Sequence, residues 1–143
     1  MKAPRPTREQ YRHFTLLPTR WRDNDVYGHM NNAVFYEYVD TAVNGWLASS
    51  GALEVPGGAV VGLVVHSECH FFASLGFPRP VSAGLRAERI GKTSVTYAVG
   101  LFDGEGESEA AAMAAFTHVY VDAGSRRPIP LPAAFRAALA EIV

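Results

Sequence analysis

The sequence predicts an α+β domain in which one long helix packs on a single face of an antiparallel sheet of about five strands. Three observations carry this. Apolar residues recur at helical spacing over one extended stretch, residues 32–49. Four later segments, between residues 60 and 122, read as strands separated by turns rich in Gly, Pro and Asp. These segments follow one another in antiparallel succession after an initial strand and the helix, and a sheet with one helix on one face is the simplest way to pack that order.

Residues 1–10 read as a frayed arm. The run HFTLLPTRWR, His13–Arg22, is short and extended, and Pro18 confines it to a sheet edge or a bulge. The turn-rich DNDVYGHMNN leads into the helix Asn32–Ser49, which Asn31 caps and Gly51 stops. Phe35, Tyr38, Val39, Ala42 and Trp46 form its apolar stripe, and Val34, Val43 and Leu47 widen it. A helix apolar on most sides is expected to lie inside a curved sheet. Glu37, Asp40 and Asn44 mark its remaining polar face.

Val60–Phe72 is a long strand in which His66, Glu68 and His70 alternate against Val65, Ser67, Cys69 and Phe71. Pro80–Gly91 and Thr93–Asp103 are strands joined by a tight turn at Ile90-Gly91-Lys92, and DGEGE turns the chain into Ser108–Asp122. The first half of that last segment, EAAAMAAF, favours helix by intrinsic propensity. The antiparallel succession around it makes it a strand. GSRRP turns the chain again, and Ala133–Ile142 reads as a short helix after Pro130 and Pro132.

With 143 residues and 15.5 kDa the chain is expected to form one domain, 1–143, with enough length to build a core unaided. Thirteen Lys+Arg against fourteen Asp+Glu give a net charge of −1, which argues against a nucleic-acid partner. Only Lys2 and Lys92 of the cations are lysines, so an anion site would lean on arginine. Cys69 is the sole cysteine, which excludes an internal disulfide and fits a reducing cytosol. The polar start MKAPRPTREQYRHF lacks a signal-type apolar run, and Ala59–Val65 is far shorter than a membrane span. A soluble cytoplasmic protein with no membrane partner is expected.

The chemistry is concentrated in Arg20–Asp40, RWRDNDVYGHMNNAVFYEYVD. Asp25 lies just before the start of an apolar helix, whose first-turn N–H groups lack partners within the helix and carry positive potential. Such a terminus stabilises an oxyanion forming from a carbonyl. A carboxylate beside it can attack an activated carbonyl or deprotonate the water that does. Both parts of an acyl-transfer site would then come from one loop and one helix start.

The run Asp25-Val-Tyr-Gly28-His29-Met-Asn31-Asn32-Ala-Val-Phe35-Tyr resembles the signature of the 4-hydroxybenzoyl-CoA thioesterase family of hot-dog-fold proteins. Its His-x-Asn-Asn form is similar to the long-chain acyl-CoA and plant acyl-carrier-protein thioesterase branches. The resemblance implies a central helix held in a curved sheet. It also implies protomers paired into a continuous sheet, with sites at the interface of a homodimer or of a dimer of dimers. Asp25 would be the catalytic carboxylate, the Asn32 N–H the oxyanion donor, and His29 a further catalytic group. Tyr27 stands where the acyl-carrier-protein branch carries a catalytic Asn, and Trp21 where some bacterial relatives carry Tyr. Gly28, Asn31, Tyr27 and Phe35 would line the substrate site. The strand turn near Arg89, Lys92 and Ser94 would meet the phosphates of coenzyme A, with Arg126-Arg127 as a second basic patch. The substrate would be an acyl-CoA and no cofactor is implied, coenzyme A being part of the substrate.

Two other functions compete. One is dehydration of 3-hydroxyacyl thioesters, for which His70-Phe71 ahead of FPRP would supply the histidine and Glu37 the acid; Phe72 stands where that pattern has proline. The other is a catalytically silent subunit that binds acyl-CoA. A metal held by His66, Glu68 and His70 lacks an evident fourth ligand, and no metal is expected. Cys69 reads as a packed thiol. Phe35, Tyr36, Tyr38, Trp46, Phe71 and Phe72 are either acyl-pocket walls or simply core.

Overall fold

The computed structural model describes residues 4–143. Strands β1 (His13–Leu17), β2 (Val60–Phe71), β3 (Val81–Ile90), β4 (Ser94–Asp103) and β5 (Ala112–Asp122) form one antiparallel sheet in the order β1-β3-β4-β5-β2. Helix α1 (Asn32–Ser50) crosses its inner face, and the short α2 (Ala133–Ala140) closes one end. Among the described residues, no helix is long and apolar enough to cross a membrane.

The helix forms where the pattern places it. The Asn31 side chain caps it by accepting the Ala33 N–H at 2.9 Å, and Gly51 ends it in the left-handed region. Its buried residues are Phe35, Tyr38, Val39, Ala42, Val43, Trp46 and Leu47. They meet the alternate residues of the strands: Val81, Ala83, Leu85 and Ala87 on β3, and Val95, Tyr97, Val99 and Leu101 on β4. The inner side of β5 presents Ala112, Ala114, Phe116 and Tyr120. The alanines of β5 are strand residues despite their helical propensity, because two ladders, to β2 and to β4, claim their backbone groups and the helix needs small side chains beneath it.

The helix lies against the curved sheet as expected, with Tyr36, Glu37, Asp40 and Thr41 facing outward on the side the sheet does not cover. Two expectations are corrected. The first strand ends at Leu17, and Trp21–Asp23 turn as a 3-10 helix after Pro18. Residues 4–10 are not a frayed arm but are tied to the body of the domain. Arg8 Nε donates to the Glu107 carbonyl at 2.6 Å and Nη2 to the Gly104 carbonyl at 2.9 Å. Arg5 Nε donates to the Ala110 carbonyl at 3.0 Å. Tyr11 then packs on the outer face of the sheet with Ala98, Phe102 and Ala110, a second small core that local sequence patterning gives no sign of. The part of the expected arm comprising residues 1–3 lies outside the described residues.

Candidate active site

The loop before α1 is held by its own backbone. The Asp25 N–H donates to the His29 carbonyl at 2.9 Å, and the Gly28 N–H donates back to the Asp25 carbonyl at 3.1 Å. This tight reversal puts Gly28 at φ +85°, a conformation that a side chain would strain. Asn24 and Met30 pair across the base of the loop. The Met30 N–H donates to the Leu75 carbonyl at 2.7 Å, and Asn24 Oδ1 accepts the Phe77 N–H at 3.1 Å. The loop is therefore tethered to the connection between β2 and β3.

Within this frame the Asp25 carboxylate accepts the Tyr27 N–H through Oδ1 at 2.9 Å, which orients it locally. Its Oδ2 stands 3.9 Å from His29 Nδ1, and the same nitrogen lies 3.3 Å from the Met30 carbonyl. Tyr27 stacks on the His29 ring with centroids 6.5 Å apart. At the helix start, the Asn31 N–H is taken by the Asp23 carbonyl, the Ala33 N–H by the Asn31 side chain and the Val34 N–H by the Asn31 carbonyl. Of the four amides from 31 to 34, that of Asn32 alone has no acceptor among the described residues. An unpaired N–H at the positive end of a helix is an oxyanion donor in waiting.

Asp25, Tyr27, His29, Asn31, Asn32 and Phe35 line one open pocket of about 570 Å³, with Gly28 in the same loop. The opposite wall comes from Phe71, Phe72, Ala73 and Ser74, where β2 ends. Phe35 meets Phe71 edge to face at 5.0 Å, so the wall beside the polar groups is apolar. Met30, Ala73 and Ser74 were not expected from the sequence. They reach the pocket through the link between loop and strand end, a non-local contact with no local signal. Tyr38 and Trp46 are core, and Tyr36 lies outside the pocket lining.

The basic residues lie elsewhere in the chain. Phe71 pairs with Ala112, whereas Ser94 pairs with Val119, seven residues along β5, about 23 Å at 3.3 Å per residue. Arg89, Lys92 and Ser94 therefore sit at the far end of the sheet from Asp25, beside the Arg126-Arg127 turn and α2, whose Arg136 donates to the Gly91 carbonyl. The dehydratase pair is not assembled either. Glu37 is bound to Arg20 on the solvent side of α1, while His70 borders a groove on the outer face of the sheet with Arg86 and Glu88. His66 and Glu68 approach within 3.7 Å, but among the described residues no three side chains gather as a metal site. Cys69 packs against the core, and burial pushes its thiol up to about 11. Trp21 is largely exposed and meets Phe77 edge to face at 5.9 Å.

The thioesterase-like superfamily model matches residues 19–139, nearly the whole chain and all of the pocket. This chain belongs to the thioesterase-like superfamily. Among solved structures, the PA5185 protein of Pseudomonas aeruginosa is 50% identical, covering 96% of this chain and 95% of its own with a TM-score of 0.92. A thioesterase from Thermus thermophilus, solved with coenzyme A and zinc, is 25% identical, covering 90% of this chain and 98% of its own with a TM-score of 0.74. A 1,4-dihydroxy-2-naphthoyl-CoA thioesterase from Synechocystis shares the fold at 20% identity and a TM-score of 0.77, covering 89% of this chain and 94% of its own. No curated protein sequence matches the chain. The hot-dog architecture expected from the sequence is the one observed, whereas the 4-hydroxybenzoyl-CoA branch is not singled out among these relatives.

Proposed function

We propose that this protein hydrolyses acyl-CoA thioesters to the free acid and coenzyme A. The observation that carries the reading is the shared pocket of the Asp25 carboxylate and the unpaired Asn32 N–H. The thioester carbonyl oxygen accepts that N–H, and the helix end stabilises the negative charge as the carbon becomes tetrahedral. Asp25 either adds to the carbon, giving an anhydride that water then cleaves, or takes the proton of an attacking water. Both routes consume one water and expel the thiolate of coenzyme A, which is reprotonated; His29, beside Asp25, is the group placed to pass that proton. Phe35, Phe71 and Phe72 suit a hydrocarbon or aryl acyl group.

The same reading makes the working unit a homodimer joined along β2. That edge strand exposes Val64 and Val65 by 50% and 60%, and among the described residues no strand pairs with its outer side. Antiparallel pairing of two β2 strands sets the Leu63 end of one copy beside the Phe71 end of the other. The partner's basic hairpin is thereby brought toward this chain's pocket, where its cations meet the phosphates of coenzyme A.

Replacing Asp25 by Ala tests the assignment with a panel of short, long and aromatic acyl-CoAs. The wild type releases thiol from at least one of them, and the folded variant loses turnover by about 10³-fold or more. Undiminished thiol release by D25A would overturn the mechanism.

A further inference from the structure

We infer that Asp23 is a positioning residue for this site: clamped by Arg20 and Tyr38, it holds the Asn31–Asn32 helix start where the free amide meets a substrate carbonyl. The inference rests on the reading of that amide as an oxyanion donor.

Asp23 is only 1% exposed and does not line the Asp25 pocket. Its carboxylate is nonetheless saturated. Oδ2 accepts the Arg20 backbone N–H at 2.9 Å and the Tyr38 hydroxyl, while Oδ1 accepts Arg20 Nε at 3.0 Å and lies 2.8 Å from Nη2. Tyr38 stands in the second turn of α1, and Arg20 also reaches Glu37 Oε2 on that turn at 2.8 Å. One buried anion thus ties the loop to the helix body.

The backbone of the same residue does the rest. The Asp23 carbonyl accepts the Asn31 N–H at 2.9 Å, the peptide immediately before the one that carries the Asn32 N–H. Two residues further along the chain is Asp25. A shift at Asp23 is therefore transmitted to the amide through one hydrogen bond and to the carboxylate through two peptide units. Burial alone pushes the Asp23 carboxyl up, but the hydrogen bonds from Tyr38 and Arg20 outweigh it and hold the group low, so it stays ionised. A buried carboxylate fully paired in this way fixes geometry more than it adds stability, and removing one partner leaves the charge poorly compensated.

The test compares Asp23→Asn with the milder Tyr38→Phe. Both are checked for folding by circular dichroism and followed by acyl-CoA kinetics and by the 15N–1H resonances of Asn31 and Asn32. In folded variants kcat falls about 10- to 100-fold, KM stays within about twofold, and both amide resonances move. Resonances that stay in place, or a kcat loss matched by the loss of folded protein, would overturn the positioning role. If the wild type hydrolyses no acyl-CoA, the functional reading fails separately, and displaced or unmoved Asn31 and Asn32 amides still decide for or against the clamp.

Discussion

The Asp25 carboxylate and the His29 imidazole face each other across a single loop turn, with Oδ2 and Nδ1 separated by 3.9 Å. The gap is too long for a hydrogen bond, so in the proposed mechanism His29 acts on the departing thiolate rather than as a fixed partner of Asp25. His29→Gln is therefore expected to lower kcat by about 10²-fold, less than the loss in Asp25→Ala. Single-turnover thiol release measures both. Equal losses would mean that the two side chains act as one unit.

Arg89 and Lys92 stand apart from the pocket within one chain, so their contribution is expected in KM rather than in kcat. Replacing both with Ala raises KM for acyl-CoA by roughly tenfold, the worth of about one charge-assisted contact. An acyl-pantetheine substrate, which lacks the nucleotide phosphates, is expected to show no such change. Steady-state kinetics with the two substrates separates phosphate recognition from acyl recognition.

The N-terminal arm depends on bare backbone beneath it. A Cβ on Gly100 would lie 2.5 Å from the Tyr11 ring, and Tyr11 is itself buried. Gly100→Ala is expected to destabilise the fold by about 1–3 kcal/mol in urea unfolding. The additional change Tyr11→Ala relieves the clash, so the two substitutions together should cost less than their sum.

His118 is buried with Nδ1 3.0 Å from the Tyr120 hydroxyl, which lies 2.7 Å from the Tyr97 hydroxyl. Burial pushes its pKa down to about 4, so it is neutral in the folded protein at pH values where the unfolded chain binds a proton. Stability tied to this group is therefore complete above the unfolded value near 6.5 and is lost as pH falls from there to about 4. The loss is on the order of 3 kcal/mol. Unfolding free energies between pH 7 and 4 should show this slope, and His118→Gln should flatten it.

The parts legible in the sequence are those whose determinants are local. The cap at Asn31, the stop at Gly51 and the stripe from Phe35 to Trp46 define α1 without reference to the rest of the chain. The turn from Asp25 to His29 closes on its own backbone, and the motif residues Asp25, Tyr27, His29, Asn31, Asn32 and Phe35 line one pocket. Features made by distant contacts were not legible. The arm reads as polar and loose, yet its arginines find carbonyls about a hundred residues away. Asp23 reads as a turn residue, and its clamp exists only because Tyr38 comes up from the helix. The alanines of β5 show the opposite conflict, in which intrinsic preference yields to the two ladders on either side.

The stretch from Val60 to Val65, VVGLVV, contains no charge and no proline, and it runs along the open rim of the sheet. Nothing there repels a stranger's strand. In the homodimer proposed above this rim is covered, so a copy that has not yet paired leaves an adhesive strand open, and yield in a cell is expected to depend on how soon two copies meet. Slow synthesis at low temperature, which keeps unpaired copies scarce, is then expected to raise the yield of folded protein.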